Sequence, residues 1–433
     1  MNYLDNILFA VLLVVGIGFF VRNVKKLTRN IKLGKDINRS DNSNERWKNM
    51  IMVALGQSKM VKRPIAGILH IIVYASFIII NIEVVEILID GLFGTHRVFS
   101  SLVSFYDVLI GSFEILAFLV LISVIIFWIR RMILRIPRFW NKEMTSWPKN
   151  DALNILYFEM VLMSLFLIMN ATDPEFQAFH IGNPISRFLV PLFSGFSEHT
   201  LHIIEQSAWW IHIIGIFIFL NYLYYSKHLH ILLAFPNTYF ADLNPKGKLN
   251  NLEAVTKEVQ LMMDPNADPF AAAPETENET PEKFGASDVT DLNWVQLMNA
   301  YTCTECGRCT SSCPANITGK ELSPRAIMMK TRDRIEEVGK NIDKNGEFKD
   351  DGKQLLGDYI TPEELWACTS CNACVEECPV NINPLSIILD MRRFLVLEQS
   401  AAPQELNMMM TNIENNGAPW QYSQMDRLNW KDE

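Results

Sequence analysis

Five stretches of this chain are apolar for long enough to cross a bilayer. They run approximately from Leu4 to Val21, Ile65 to Ile89, Val98 to Ile129, Leu153 to Ala171 and Trp209 to Phe235. A helical span needs about 20 mostly apolar residues, because each residue rises about 1.5 Å and the hydrocarbon core is about 30 Å thick. The first stretch lacks a basic leader and a small-residue cleavage site, and its Lys and Arg follow the apolar run, so it is expected to remain as an anchor. The overall hydrophobic fraction, 49%, hides a division. Through residue 240 the chain carries 21 basic and 16 acidic residues, whereas the remainder carries 18 basic and 32 acidic residues together with all eight cysteines. Such asymmetry excludes one uniform globular domain, and the acidic excess excludes a basic nucleic-acid binder.

The loops predict orientation. Twelve basic residues lie between the first and second stretches, from Arg22 to Arg63, and six between the third and fourth, from Arg130 to Lys149. The other two loops carry one each, Arg97 and Arg187. Cytoplasmic loops are enriched in Lys and Arg, so the amino terminus is expected outside and everything after Phe235 in the cytoplasm of a cell whose inner membrane holds the spans.

Histidines in the spans suggest a cofactor. His212 and His230 are 18 residues apart, five turns of a continuous helix, and are expected to share one face of the fifth span. His70 enters the second span from the cytoplasmic side and is expected at the depth of His230. Two neutral imidazoles facing each other inside a bundle suit the axial positions of a b-type haem, against the alternative of histidines bonded to neighbouring helices. His228 points to another face and is expected at the interface. His212 invites a second haem near the outer surface, with His96, His180, His199, His202 or Met169 as its partner, against the alternative of a satisfied polar residue. Carboxylates Glu83, Asp107 and Glu114 in the outer halves of the second and third spans are candidates for proton exchange with a quinone, while Glu86 reads as interfacial.

From Asp264 to Asp288 the composition is rich in Pro, Ala, Glu and Asn, as expected of a flexible linker or a surface wrap. Structure is expected to resume near Asp291. There Cys303-Thr-Glu-Cys306-Gly-Arg-Cys309-Thr-Ser-Ser-Cys313-Pro314 is followed by Cys368-Thr-Ser-Cys371-Asn-Ala-Cys374-Val-Glu-Glu-Cys378-Pro379. In this C-x2-C-x2-C-x3-C-P pattern three thiolates cap one 4Fe-4S cluster and the fourth reaches the other cluster. The expected sets are Cys303, Cys306, Cys309 and Cys378 for one, and Cys368, Cys371, Cys374 and Cys313 for the other. Four-coordinate zinc has no need of the third cysteine or the Cys-Pro, and disulfides do not persist in the cytoplasm. Ser323 is expected to cap a helix that begins at Pro324, within a domain that is helical.

The cysteine region resembles the helical dicluster ferredoxin module of heterodisulfide reductase and anaerobic glycerol-3-phosphate dehydrogenase iron-sulfur subunits, and Asn415-Asn416-Gly417-Ala418-Pro419-Trp420 is similar to their Gly-Asn-Pro-Trp-type segment. The apolar region resembles the five-helix cytochrome b subunit of respiratory nitrate reductase and heterodisulfide reductase. That resemblance implies haem ligation by His212 and His230, a Ser-basic pair at Ser226-Lys227, and an inner ligand at His70. Its outer ligand on the second span would fall at Ile80, which departs from the pattern. Members that reduce substrate directly also carry Cys-rich CCG modules, for which this sequence has no ninth cysteine.

These readings combine into a mainly α protein, a five-helix transmembrane bundle followed by a cytoplasmic all-helical dicluster ferredoxin domain. The expected division is 1–240 for the membrane part, 241–290 for a connector and 291–433 for the clusters. The expected function is a quinone-linked oxidoreductase subunit, with menaquinone or another quinone on the membrane side. On the cytoplasmic side the expected partner is a CCG-type cysteine-rich subunit or a flavoprotein dehydrogenase; the acidic surface would favour a partner with a basic docking face, against the alternative that it only solubilises. The competing class is a redox sensor or anchor without quinone turnover.

Overall fold

The computed structural model describes residues 3–102, 104–178, 182–265, 283–421 and 423–432. Among them the regular structure is helical and no β-strand forms. Most of the expected linker, 266–282, lies outside the described residues, as does His180.

Five helices are long and apolar enough to cross a membrane: Tyr3–Ile31, Pro64–Phe93, Ser104–Met132, Trp147–Thr172 and Glu198–Tyr222. Proline stands in the first turn of the second and fourth, where its missing N–H costs no helical hydrogen bond, and the Ser197 side chain caps the fifth by accepting from the Thr200 N–H. The second packs on the third, the third on the fourth, the fourth on the fifth, and the first closes against the fifth and second. At Gly91 the first and second helices meet so closely that a Cβ would fall 2.6 Å from the Phe9 ring. Apolar side chains such as Val14, Ile68 and Val161 are exposed on the outside of the bundle, the arrangement that lipid requires.

The fifth span differs from its sequence expectation. It begins at Glu198 and its α-helix ends at Tyr222, short of the expected Phe235. The chain then makes two short 3-10 turns around an extended Ser226 (φ −110°, ψ 148°) and starts a new helix at His230–Tyr239. Ser226 caps the break by accepting the His228 N–H, and the Asp151 carboxylate takes the Lys227 N–H at 3.0 Å. His212 and His230 therefore stand on different helices, and five turns of one helix do not separate them. Hydropathy misses the break because Leu223, Leu229 and Ala234 are buried against the cysteine domain, and apolar side chains buried in protein or in lipid look alike in sequence.

The cysteine domain is built from helices Trp294–Thr302, Pro324–Asn345 and Pro384–Leu397, joined by longer segments that carry the two cysteine motifs and several single-turn helices. Ser323 caps the second of these as expected, accepting the Ala326 N–H, with Pro324 next to it. Structure resumes earlier than Asp291. Ala286 and Val289 are fully buried, and Asp288 binds the fully buried Arg334 through two oxygens. The expected linker carries only two large apolar residues, Phe270 and Phe284, too few to announce this; the anchor is an ion pair to a distant helix.

The domain sits on the end of the bundle that carries the two basic loops. Lys62 pairs with Glu376 at 2.6 Å, Arg63 with Glu377 at 3.2 Å and Arg325 with Glu143 at 2.7 Å. Lys35 and Leu292 exchange backbone contact across the same seam, where the Lys35 N–H reaches the Leu292 carbonyl at 2.8 Å. Part of the acidic excess thus meets the protein's own basic loops.

Candidate redox site

The two cysteine motifs fold alike. In the first, Glu305 (φ 52°) and Gly307 (φ 71°) are left-handed; in the second, Ser370 (φ 55°) and Asn372 (φ 60°) hold the same two places. Successive turns of this kind aim backbone N–H groups into one concavity, which favours anionic sulfur. In the second motif the Ser370 N–H reaches Cys368 Sγ at 3.4 Å, and just beyond it the Ile382 N–H reaches Cys378 Sγ at 3.3 Å.

The thiols fall into two groups. Cys303, Cys306 and Cys309 line one small cavity with Cys378 and Cys374, so that the fourth cysteine of the second motif joins the first three of the first. Cys313 lies within electrostatic reach of Cys368 and Cys374, which also sense Cys371. Cys371 is exposed, whereas Cys303, Cys313, Cys374 and Cys378 are buried. Among the described residues no three His, Cys, Asp or Glu side chains converge as ligands of a single ion would. A cube of several iron and sulfur atoms holds its ligands further apart than one ion does.

Next to the first motif lies the histidine pair. The His70 and His230 ring centres are 6.4 Å apart with planes inclined at 39°. Two imidazoles that share one ion at about 2.0–2.1 Å from each nitrogen place their ring centres about 6 Å apart, so the two rings fit one metal between them. His230 Nδ1 donates to the Lys227 carbonyl at 3.0 Å, which fixes the tautomer and leaves Nε2 free. His70 Nδ1 is buried without a hydrogen-bond partner. His228, expected at the interface, instead packs between Phe219 and His230, with ring centres at 5.3 and 5.5 Å, and reaches Glu159 at 4.0 Å.

A buried ion network joins this pair to the cysteines. Lys227 contacts the carboxylate of Glu305, the residue between Thr304 and Cys306, and donates to the Pro148 carbonyl at 2.6 Å. Arg332 takes the other Glu305 oxygen at 2.8 Å. Burial opposes ionisation of Glu305, but Lys227 and Arg332 outweigh it and hold the carboxyl below its usual range. From the other side Arg308, within the first motif, donates to the carbonyls of Lys59 and Met60 at 3.1 and 3.2 Å, just before the helix that carries His70.

His212 lies apart. It is ten residues from the end of its helix at Tyr222, about 15 Å of rise, which is mid-helix and not near the outer surface as expected. Its Nδ1 is 3.0 Å from the Leu162 carbonyl, and among the described residues the ring packed against it is Phe166, at 6.3 Å. Of its expected partners, His199 and His202 are exposed at the end of the bundle away from the cysteine domain, and His96 pairs with Asp173 and Glu175.

The outer carboxylates separate. Glu83 is buried and its Oε2 has no hydrogen-bond partner. Both oxygens of Glu114 are engaged: Oε1 accepts from Asn170 at 3.0 Å, and Oε2 accepts the Ile185 and Ser186 N–H groups at 2.9 Å. Asp107 is half-buried on the third helix and lines no part of the polar cavity that Glu83 faces. Glu86, expected at the interface, is instead buried and accepts from the Phe99 N–H at 2.7 Å and the Tyr106 hydroxyl at 3.2 Å. The signal was present: Glu83, Glu86 and Asp90 fall on one helix face at i, i+3 and i+7.

Residues 302–382 match the 4Fe-4S dicluster domain. Over nearly its whole length, 99%, the chain is 29% identical to a probable iron-sulfur-binding oxidoreductase, FadF, of Bacillus subtilis, and covers 61% of that protein. It is 25% identical over 92% of its length to the EtfAB:quinone oxidoreductase of Syntrophomonas wolfei, of which it covers 55%. A third of the chain, 34%, is 28% identical to one polypeptide of the dihydromethanophenazine:CoB–CoM heterodisulfide reductase of Methanosarcina mazei, covering 37% of it. The chain thus spans only 61% and 55% of the first two relatives. No solved structure matches it.

Proposed function

We propose that the chain is a membrane-bound oxidoreductase subunit that passes electrons between a cytoplasmic redox partner and the quinone pool. The observation that carries this reading is the His70–His230 pair at 6.4 Å, linked through Lys227 to Glu305 inside the first cysteine motif. Bound haem b at the histidines and two 4Fe-4S clusters at the cysteines would supply one-electron carriers from bilayer to cytoplasm. The proposed ligands are His70 and His230 for haem; Cys303, Cys306, Cys309 and Cys378 for one cluster; and Cys368, Cys371, Cys374 and Cys313 for the other. A second haem at His212 has less support, since the ring packed on it is Phe166.

The chain's own residues hold this arrangement rigid. Lys227, Glu305 and Arg332 tie the cluster motif to the end of the fifth helix, and Arg308 ties it to the start of the second. The division at about 240 and 290, the cytoplasmic placement of the cysteine domain and the outside amino terminus belong to the same proposal, supported by the basic loops on the cysteine end of the bundle. The name of the Syntrophomonas relative supports quinone as one reactant and favours a flavoprotein electron carrier over a CCG-type subunit as the other. Of the proposed quinone-side carboxylates, Glu83 keeps a free oxygen, whereas Glu114 is fully engaged as an anchor for residues 185–186.

The test is a reduced-minus-oxidised absorption spectrum of the purified protein, before and after a quinol analogue is added. A b-type haem that the quinol reduces, and that His70→Ala and His230→Ala each abolish, is the expected result. Absence of any reducible haem would overturn the conduit.

A further inference from the structure

The outer half of the bundle holds a buried polar network that electron transfer along His70, His230 and the cysteines does not use. Glu83, Glu86 and Asp90 are 3%, 2% and 6% exposed on one face of the second helix. With His96, Arg97 and Glu205 they line a cavity of about 30 Å³. A water needs roughly 10–15 Å³ on this measure and two to four polar partners, so the cavity has room for about two waters among partners that suit them. It is too small for a quinone ring, whose sites run to hundreds of cubic ångströms.

Most of the charge here is already committed. Arg97 donates to Asp173 at 3.1 Å and to Asn170 at 3.0 Å, and Asp90 accepts the Arg97 and Val98 N–H groups at 2.7 and 3.2 Å. Glu86 accepts from Phe99 and Tyr106. Glu83 is different: its carboxyl faces that of Glu86, it lines the cavity, and its Oε2 is buried without a hydrogen-bond partner. An unsatisfied buried carboxyl oxygen is costly, and water in the cavity would satisfy it. At the other end stands His96, half-exposed and 3.5 Å from Asp173 and 3.6 Å from the exposed Glu175. Groups able to take and give a proton thus run from the bundle interior to the outer surface.

We propose that Glu83, Glu86 and His96, with waters held between them, form a proton path between the interior of the bundle and its outer face. The path rests on the quinone reading for the source of its protons. A quinone that takes two electrons becomes quinol only by taking two protons, and the reverse reaction releases both. The iron carriers move the electrons but not the protons, which must pass to water through groups such as these. Arg97, locked to Asp173 and Asn170, stays charged throughout and takes no part in the transfer; it is a positioning residue for the two acids beside it.

Infrared spectroscopy of the full chain in lipid nanodiscs, transferred from H2O to D2O, tests the path. The expected result is a protonated-carboxyl stretching band that shifts on exchange and is lost in Glu83→Gln. His96→Asn should leave the band in place but slow its exchange by about tenfold or more, as loss of one relay group slows proton transfer. This second variant changes only a half-exposed side chain and keeps the test open if Glu83→Gln does not fold. A Glu83 band that fails to exchange, or one that exchanges at an unchanged rate without His96, would overturn the path. If exchange behaves as expected but quinol leaves the haem oxidised, the quinone reading fails and the water path stands.

Discussion

Lys227 meets Glu305 in a buried ion pair, and the two residues belong to the two halves of the chain: one follows the fifth membrane helix, the other lies inside the first cysteine motif. Their side chains are 8% and 2% exposed. Three residues beyond Lys227 is His230, whose Nδ1 hydrogen-bonds to the Lys227 carbonyl. The contact therefore sets the position of a candidate haem ligand relative to candidate cluster ligands.

Removing one partner of a buried pair leaves an uncompensated charge, at a cost of about 3–5 kcal/mol. Arg332 still faces Glu305 and softens that loss, so Lys227→Met is expected to destabilise the folded protein by about 3 kcal/mol. Thermal unfolding in detergent micelles measures it. A change below about 0.5 kcal/mol, the size of a surface substitution, would show that the pair does not hold the domains together.

Exchange of the fourth cysteine between motifs makes a specific prediction. Cys313→Ala should remove the same cluster signal that Cys368→Ala removes, and Cys378→Ala the signal that Cys306→Ala removes. Electron paramagnetic resonance of the reduced variants, with iron counted, distinguishes this from clusters confined to one motif each. Pairing of Cys313 with Cys306 would contradict the observed grouping.

The loops at the end of the bundle away from the cysteine domain should show a pH optimum. The hydrogen bond that His96 donates to Asp173 raises His96 above its usual 6.5, burial and Arg97 opposing, so this contribution is complete below about 6.5 and is lost as pH rises through the raised value. Burial works against ionisation of Asp173, but His96 and Arg97 hold it at about 2, so its contribution is complete above 3.8 and is lost as pH falls toward 2. Stability should be greatest between about 4 and 6.5. Thermal unfolding across this range checks it, and His96→Ala should flatten the alkaline side and weaken the acid side without abolishing it, since Arg97 still faces Asp173.

Gly285 has φ +78°, and a Cβ there would fall 2.2 Å from the Asp390 carbonyl oxygen. Gly285→Ala is expected to release residues 283–288 from the cysteine domain, at more than the roughly 1 kcal/mol that glycine costs elsewhere. Limited proteolysis should then cut within 283–288, where the parent protein resists. Equal resistance in the variant would refute the close packing.

Much of the fold is legible in local pattern. The apolar lengths announce five spans, because a bilayer imposes one length on every crossing helix. Ser323-Pro324 announces its helix because the cap and the first turn are chemistry between neighbours. The nearness of His70 to His230 was legible through depth, since both lie toward the same end of the bundle, although His230 stands past the break in the fifth span. Glu86 and Arg97 were not, because an acid near a helix end reads as interfacial until the loop that covers it is known. The start of the cysteine domain at Asp288 was hidden for a related reason: its partner Arg334 is 46 residues away.

By itself the amino-acid order determined the inventory: five apolar helices, two sets of cysteines at one spacing, and histidines near span ends. Those follow from contacts within a few residues and from solvent preference, which the chain carries wherever it goes. The tertiary structure decided what meets what. It broke the fifth span at Ser226, moved His212 to mid-helix, engaged Glu114, left one oxygen of Glu83 facing a polar cavity, and set Lys227 against Glu305. Such pairings join groups from distant parts of the chain, and burial together, not sequence proximity, determines which charges find a partner.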